Sequence, residues 1–211
     1  MTSTAAIGRH RNGAPSPCLE RRAVTGHRGP PGAVGAVPDG GVSSAPSMPT
    51  ELLVATRSAE QTRSVAAALA RACRGGDLLL LTGDLGAGKT TFCQGFGAAL
   101  DVRTPITSPT FTLHHRYQGR LVMHHLDVYR LDQLDDTIEL GLGELLESGG
   151  VTLIEWGDTI RPVLPEDHVE VSLELGAGDD DRLVRIAFRG EGWADRVARL
   201  AEELAGIGPS C

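Results

Sequence analysis

Lysine is almost missing from this chain. Of its 20 Lys and Arg residues, 19 are arginine, and Lys89 is the only lysine in 211 residues. Asparagine is equally scarce, with Asn12 alone, so the guanine-reading Asn-Lys-x-Asp signature of GTPases cannot be written. Aromatic residues make up 4% of the chain against 41% hydrophobic residues in all, so any core is mostly aliphatic. No apolar run approaches the ~20 residues that a membrane-spanning helix needs. Cys18, Cys73, Cys93 and Cys211 are scattered, with no Cys-x-x-Cys pair. That usage fits a reducing compartment rather than a disulfide framework. Arginines through Arg22 break the early sequence and leave no continuous apolar stretch for a signal peptide, so a cytoplasmic protein is expected.

Charge divides the chain. The formal net charge is −7, yet residues 1–50 hold five Arg against Glu20 and Asp39. Residues 51–211 therefore carry 15 basic and 25 acidic side chains, a balance of −10. So acidic a body is a poor match for direct contact with nucleic acid. The first fifty residues also contain eight Gly, seven Pro and no aromatic residue. Such a composition buries too little apolar surface to offset chain entropy, and a disordered extension is expected over 1–50. Its Pro and Gly density argues against the amphipathic helix of a transit peptide. Met48 offers a second start, in which case residues 1–47 would be an artefact of the gene model.

A foldable pattern begins at Glu51 and is expected to run as one unit over 51–207. Glu51 to Ala55 reads as a strand, and Ser58 as the N-cap of a helix through Arg74, ended by Gly75-Gly76. Leu78 to Thr82 is a short apolar run typical of a strand buried on both faces. A Gly-rich turn and a helix from Lys89 to Leu100 follow. Thr110 to Tyr117 and Leu121 to Tyr129 read as a hairpin, and Asp132 to Glu147 as an interrupted helix. Val151 to Ile154 is another buried strand. Val169 to Leu175 and Leu183 to Phe188 form a second hairpin before an amphipathic helix from Trp193 to Leu204. This order predicts a three-layer α/β domain with a mixed sheet.

Gly83-Asp84-Leu85-Gly86-Ala87-Gly88-Lys89-Thr90 satisfies the phosphate-loop pattern G-x-x-x-x-G-K-[ST] at every fixed position. A chance Gly-rich turn would lack the apolar strand before it and the helix after it. In that setting the backbone N–H groups from Asp84 to Thr91 and the positive helix end face a polyphosphate. Lys89 would bridge the outer phosphates and the Thr90 hydroxyl would ligate Mg²⁺. The metal also needs an acid at the end of a neighbouring buried strand, and Glu155 follows Val151-Thr152-Leu153-Ile154. Thr107-Ser108-Pro109-Thr110-Phe111 lies where nucleotide-sensing switches lie in such proteins. In His125-Leu126-Asp127-Val128-Tyr129-Arg130 the two-residue strand period puts His125, Asp127 and Tyr129 on one face, with Asp127 as a second carboxylate. Asp127 and Glu155 remain interchangeable as metal ligand and activator of water. The pairs His114-His115 and His124-His125 point to opposite faces and lack a supporting Cys or acidic cluster, so no zinc is expected.

Taken in this order and spacing, GDLGAGKT, TSPTF, HLDVYR and LIEW closely resemble the YjeE/TsaE family over about residues 52–190. Glu139-Leu140-Gly141 and Leu164-Pro165 match lesser landmarks. The resemblance implies a P-loop ATPase that uses ATP and Mg²⁺ to support threonylcarbamoyladenosine formation on tRNA. It implies action on a heterodimer of TsaB and TsaD type, with tRNA gripped by those partners and no membrane involved. Carried onto this chain, it makes Lys89, Thr90, Asp127 and Glu155 the catalytic and metal-binding groups. Trp156 would lie beside the nucleotide, with Ser58, Thr62 and Arg182 near the adenine. Two rival readings are a small-molecule kinase and a nucleotide-dependent scaffold that does not hydrolyse. Kinases of that kind usually add an Arg-rich lid, whereas Arg116, Arg120 and Arg130 are spread around one hairpin.

Overall fold

The computed structural model describes residues 50–109, 113–128, 141–156, 161 and 164–207. Most of the expected N-terminal extension, with Met48, lies outside them, as do Thr110, Phe111, Tyr129, Arg130, Glu139 and Leu140. Among the described residues seven strands form one sheet: β1 (Glu51–Thr56), β2 (Leu78–Thr82), β3 (His114–Tyr117), β4 (Met123–Asp127), β5 (Val151–Glu155), β6 (His168–Leu175) and β7 (Arg182–Arg189). The helices are α1 (Ala59–Ala72), α2 (Lys89–Ala99), α3 (Leu142–Glu147) and α4 (Val197–Ala205).

Strand order is β1-β7-β6-β2-β5-β4-β3. Its centre is parallel, since β2 pairs in parallel with both β5 and β6, and β5 with β4. Antiparallel pairs β6–β7, β7–β1 and β4–β3 flank it. Placing β2 centrally explains the run Leu78-Leu79-Leu80-Leu81, in which no residue is more than 1% exposed. Strand alternation sends Leu79 and Leu81 into a core shared with Val65 and Leu69 of α1, Phe92 and Phe96 of α2, and Leu200 and Leu204 of α4. Leu78 and Leu80 face a smaller core with Leu126, Ile154 and Leu142 of α3. Helices on both faces of a mixed sheet make the three layers that the sequence predicts.

Local chemistry sets most element ends. Ser58 caps α1 by accepting from the Gln61 N–H at 3.1 Å. Close approach joins α1 to α2: a Cβ on Gly95 would lie 2.4 Å from the Arg63 carbonyl oxygen. The first hairpin is shorter than its sequence suggests. Leu113 adopts φ 63°, in the left-handed region that a strand cannot use, so β3 begins at His114. The last helix starts at Val197, not Trp193. Trp193 is instead buried in the preceding turn, with the Arg196 guanidinium carbon 3.8 Å from its ring centroid. Arg196 donates to Asp77 Oδ2 at 2.6 Å and to the Gly192 carbonyl oxygen at 2.6 Å, which fixes that turn ahead of the helix.

Candidate nucleotide-binding site

The parallel strands β2, β5 and β4 end side by side, and their C-terminal ends carry the chemistry. Leu81 is the register partner of Glu155, and Glu155 is the register partner of Asp127. Beyond Thr82 the chain turns through Gly83 to Gly88 and enters α2 at Lys89. Glycine is required where it occurs. Gly83 has φ 136°, and a Cβ there would lie 2.4 Å from the Leu173 carbonyl oxygen. Gly88 caps α2 with φ 105° and leaves the first N–H groups of the helix without a side-chain cap, as an anion-binding helix start needs.

A cavity of about 520 Å³ opens over this loop. It is lined by Leu85, Gly86, Gly88, Lys89, Thr90 and Thr91, and by Ser108, Asp127, Glu155 and Trp156 from the other strand ends. The size suits a nucleotide-scale ligand. Lys89 is 6% exposed, and its ammonium donates to the carbonyl oxygens of Gly83 at 2.7 Å and Asp84 at 3.1 Å. It also lies 4.0 Å from the centroid of the Trp156 ring. Burial lowers the Lys89 pKa from its ordinary value, while Glu155, Asp127 and Asp84 act in the opposite direction. Trp156 itself has φ 62°, a strained backbone for a bulky residue and one that marks functional sites. Ser108 Oγ donates to Asp127 Oδ2 at 3.4 Å, bringing part of the switch-like segment to the cavity wall.

The residues expected near the adenine divide. Thr62, Thr91 and Arg182 share a small adjoining cavity with Ala59, Gly88 and Asp180. Ser58 acts as the cap of α1 and does not line it. The Thr62 hydroxyl pairs with that of Thr56 at 2.9 Å. Arg182 spreads its donors over four carbonyl oxygens: Ala87 at 2.8 Å, Gly86 at 3.3 Å, Asp179 at 2.8 Å and Asp181 at 2.7 Å. It thereby ties the phosphate loop to the turn between β6 and β7, a role that its distance in sequence concealed.

One reading of the histidines needs correction. His125 does not stand without a cysteine or an acid: its Nε2 is 2.8 Å from Glu155 Oε1 and 3.4 Å from Cys93 Sγ. The donor atoms of Cys93, His125 and Glu155 all lie within 4.8 Å of one another, and all three residues are buried. Two ligands of one tetrahedral zinc at ~2.0–2.1 Å would stand about 3.3 Å apart, so the 2.8 Å contact is a hydrogen bond in its present form. Cys93 could have been placed from sequence, since it falls four residues after Lys89 on the same face of α2. On the opposite face of β4, His114 Nε2 meets His124 Nδ1 at 3.0 Å, and His124 Nε2 meets Ser148 Oγ at 3.0 Å.

A Gly loop that opens a helix with Lys-Thr, facing two carboxylates on adjacent parallel strands, defines a phosphate-loop nucleotide-binding protein of the α/β class. The family model for "Threonylcarbamoyl adenosine biosynthesis protein TsaE" matches residues 56–184, and the chain belongs to that family. A Bacillus subtilis (strain 168) protein named tRNA threonylcarbamoyladenosine biosynthesis protein TsaE is 41% identical over 147 residues, which are 69% of this chain and 89% of that one. A Streptomyces coelicolor protein of the same name is 38% identical over 139 residues, 63% of this chain and 93% of its own. Among solved structures, that of Bacillus subtilis YdiB matches with TM-score 0.60 and 36% identity, covering 74% of this chain and 95% of the other.

Proposed function

We propose that this chain is the ATP-hydrolysing subunit of tRNA threonylcarbamoyladenosine formation, working in the cytoplasm on a heterodimer of TsaB and TsaD type. The observation that carries the reading is the meeting of Lys89, Thr90, Asp127 and Glu155 at one cavity above the phosphate loop. Membership of the TsaE family and the names of its relatives support the pathway.

ATP fits as substrate because positive-φ glycines leave the loop backbone bare beneath the cavity and α2 starts beneath it. Mg²⁺ fits the oxygen donors at the same wall: the Thr90 hydroxyl and Glu155 would hold it, and it would neutralise charge developing on the transferred phosphoryl group. Lys89 binds the outer phosphates, leaving the carbonyl oxygens it now contacts. Asp127, held by Ser108, orients the attacking water and accepts its proton. Trp156 walls the site against bulk water.

Among the described residues no arginine lines the main cavity. Weak hydrolysis by the chain alone, raised by the heterodimer and tRNA, follows from that deficit. Reconstitution of multiple-turnover tRNA modification with and without this protein tests the role. Dependence on the protein is expected, and equal modification in both arms would overturn it. Transfer of the γ-phosphate to a metabolite in place of water would favour the kinase reading.

A further inference from the structure

We infer that His125 is a positioning residue that reserves one oxygen of Glu155, so that the carboxylate presents its other oxygen to the divalent cation in the cavity. The inference rests on the Mg²⁺-dependent reading above and adds a residue to it. His125 and Glu155 lie on the α2-facing side of β4 and β5, diagonally across the pair, since His125 is in register with Leu153. His125 is fully buried and Glu155 is 3% exposed, at the inner edge of the cavity.

Hydrogen-bond geometry fixes the arrangement. His125 Nε2 is 2.8 Å from Glu155 Oε1, while its Nδ1 finds no partner among the described residues. A proton on buried Nδ1 would have no acceptor, so the tautomer that fits carries it on Nε2 and donates it to Oε1. Cys93 adds a weaker Sγ contact to the same oxygen at 3.9 Å. Oε1 is therefore occupied from behind and Oε2 is the oxygen left to the cavity. Partners that hold a ligating group in this way typically govern metal affinity by 10- to 100-fold (order of magnitude).

Two other donor groups among the described residues lie outside this role. The His114–His124–Ser148 chain lies on the far face of β4, and Arg182 is taken up by backbone carbonyls.

The test separates metal affinity from nucleotide affinity. Fluorescent ADP is titrated into the full chain in EDTA and across a Mg²⁺ series, for wild type, His125→Leu and His125→Gln. Leucine fills the ring's place without a donor, whereas the glutamine amide reaches the Nε2 position. We expect affinity in EDTA to agree within about twofold across all three, with the Mg²⁺ midpoint raised at least tenfold in His125→Leu and restored toward wild type in His125→Gln. An unchanged Mg²⁺ midpoint in a folded His125→Leu protein would overturn the inference while leaving the proposed function intact. No effect of Mg²⁺ on wild type would overturn both. Should His125→Leu fail to fold, His125→Asn takes its place, because its shorter amide reaches only the Nδ1 position. Equal Mg²⁺ midpoints for Asn and Gln would then refute the positioning role.

Discussion

Replacing the single lysine separates phosphate binding from folding. Lys89 makes two charge-assisted hydrogen bonds to loop carbonyls, at 2.7 and 3.1 Å, and one cation–π contact at 4.0 Å. Bonds of this kind contribute about 1.5–3 kcal/mol each where no water can replace them. Here both carbonyls belong to a loop under an open cavity, so water takes the place of the ammonium in Lys89→Ala. The net stability change should be about 1 kcal/mol, roughly 2–4 °C in Tm for a chain of this size. Turnover should fall far more, by about a hundred- to a thousandfold, the usual loss when one preorganised charge at a transition state is removed. Lys89→Arg should lose about as much despite keeping its charge. A planar guanidinium presents a wide fork of donors in place of the compact ammonium that meets the Gly83 and Asp84 carbonyls, and it does not reproduce a point charge between two phosphates. Phosphate release with the partner heterodimer and tRNA present, beside Tm and far-UV circular dichroism, reads both quantities. Because no other lysine exists, reductive methylation followed by peptide mass spectrometry also reports this one side chain. Nucleotide should protect it. Turnover of Lys89→Arg within threefold of wild type, at normal Tm, would refute the assignment.

Further perturbations test the supports of the site. Gly95→Ala places a methyl 2.4 Å from the Arg63 carbonyl oxygen and forces α1 from α2, so calorimetry should show a loss of about 1–3 kcal/mol. Arg182→Ala frees the phosphate loop from the β6–β7 turn, and titration should show nucleotide affinity weakened by about an order of magnitude with a native far-UV spectrum; unchanged affinity would show that the clamp is idle. The pKa values of His114 and His124 are lowered, chiefly by burial, from 6.5. Between those lowered values and 6.5 the unfolded chain binds more protons, so stability falls as pH drops through that window, by at most about 1.4 kcal/mol per pH unit for buried His124 and less for His114. Urea midpoints for wild type and a His114→Gln/His124→Gln variant over pH 5–7.5 should diverge only toward acid.

Much of this molecule is legible in local sequence because its elements announce themselves by short-range physics. Leu78 to Leu81 read as a doubly buried strand without any knowledge of its neighbours, and Ser58 as a cap because its hydroxyl needs only the Gln61 N–H. The phosphate loop is legible for the same reason, since its glycines, lysine and threonine are contiguous. What depends on register between distant strands is not. That Asp127 and Glu155 stand opposite each other follows from β4 pairing beside β5, 28 residues apart in sequence. The contact of Cys93 with His125 requires α2 to cross exactly that pair of strands, and the histidines alone gave no sign of it. Arg182 is half legible. It lines the small cavity beside the loop, where the resemblance puts it, but its donors to the loop and turn on either side depend on long-range pairing that the local sequence does not display.

The distribution of charge explains why such a chain would work with partners. The carboxylates of Asp127 and Glu155 stand at the ends of β4 and β5 and the hydroxyls of Thr90 and Ser108 at the start of α2 and in the loop beyond it, and the only resident cation at the main cavity among the described residues is Lys89. Several arginines of the described residues are held elsewhere: Arg196 on Asp77, Arg71 on Glu203, Arg189 on Glu170, Arg120 on the Ala70 carbonyl. A body with a balance of −10 over residues 51–211 repels a polyanion except at the cavity lined by Lys89 and the start of α2. One focused positive point in an acidic surface would favour a nucleotide's phosphates over a tRNA backbone. Under the proposed function, contact with tRNA would fall to other subunits, and hydrolysis would act as a signal passed across a protein–protein interface.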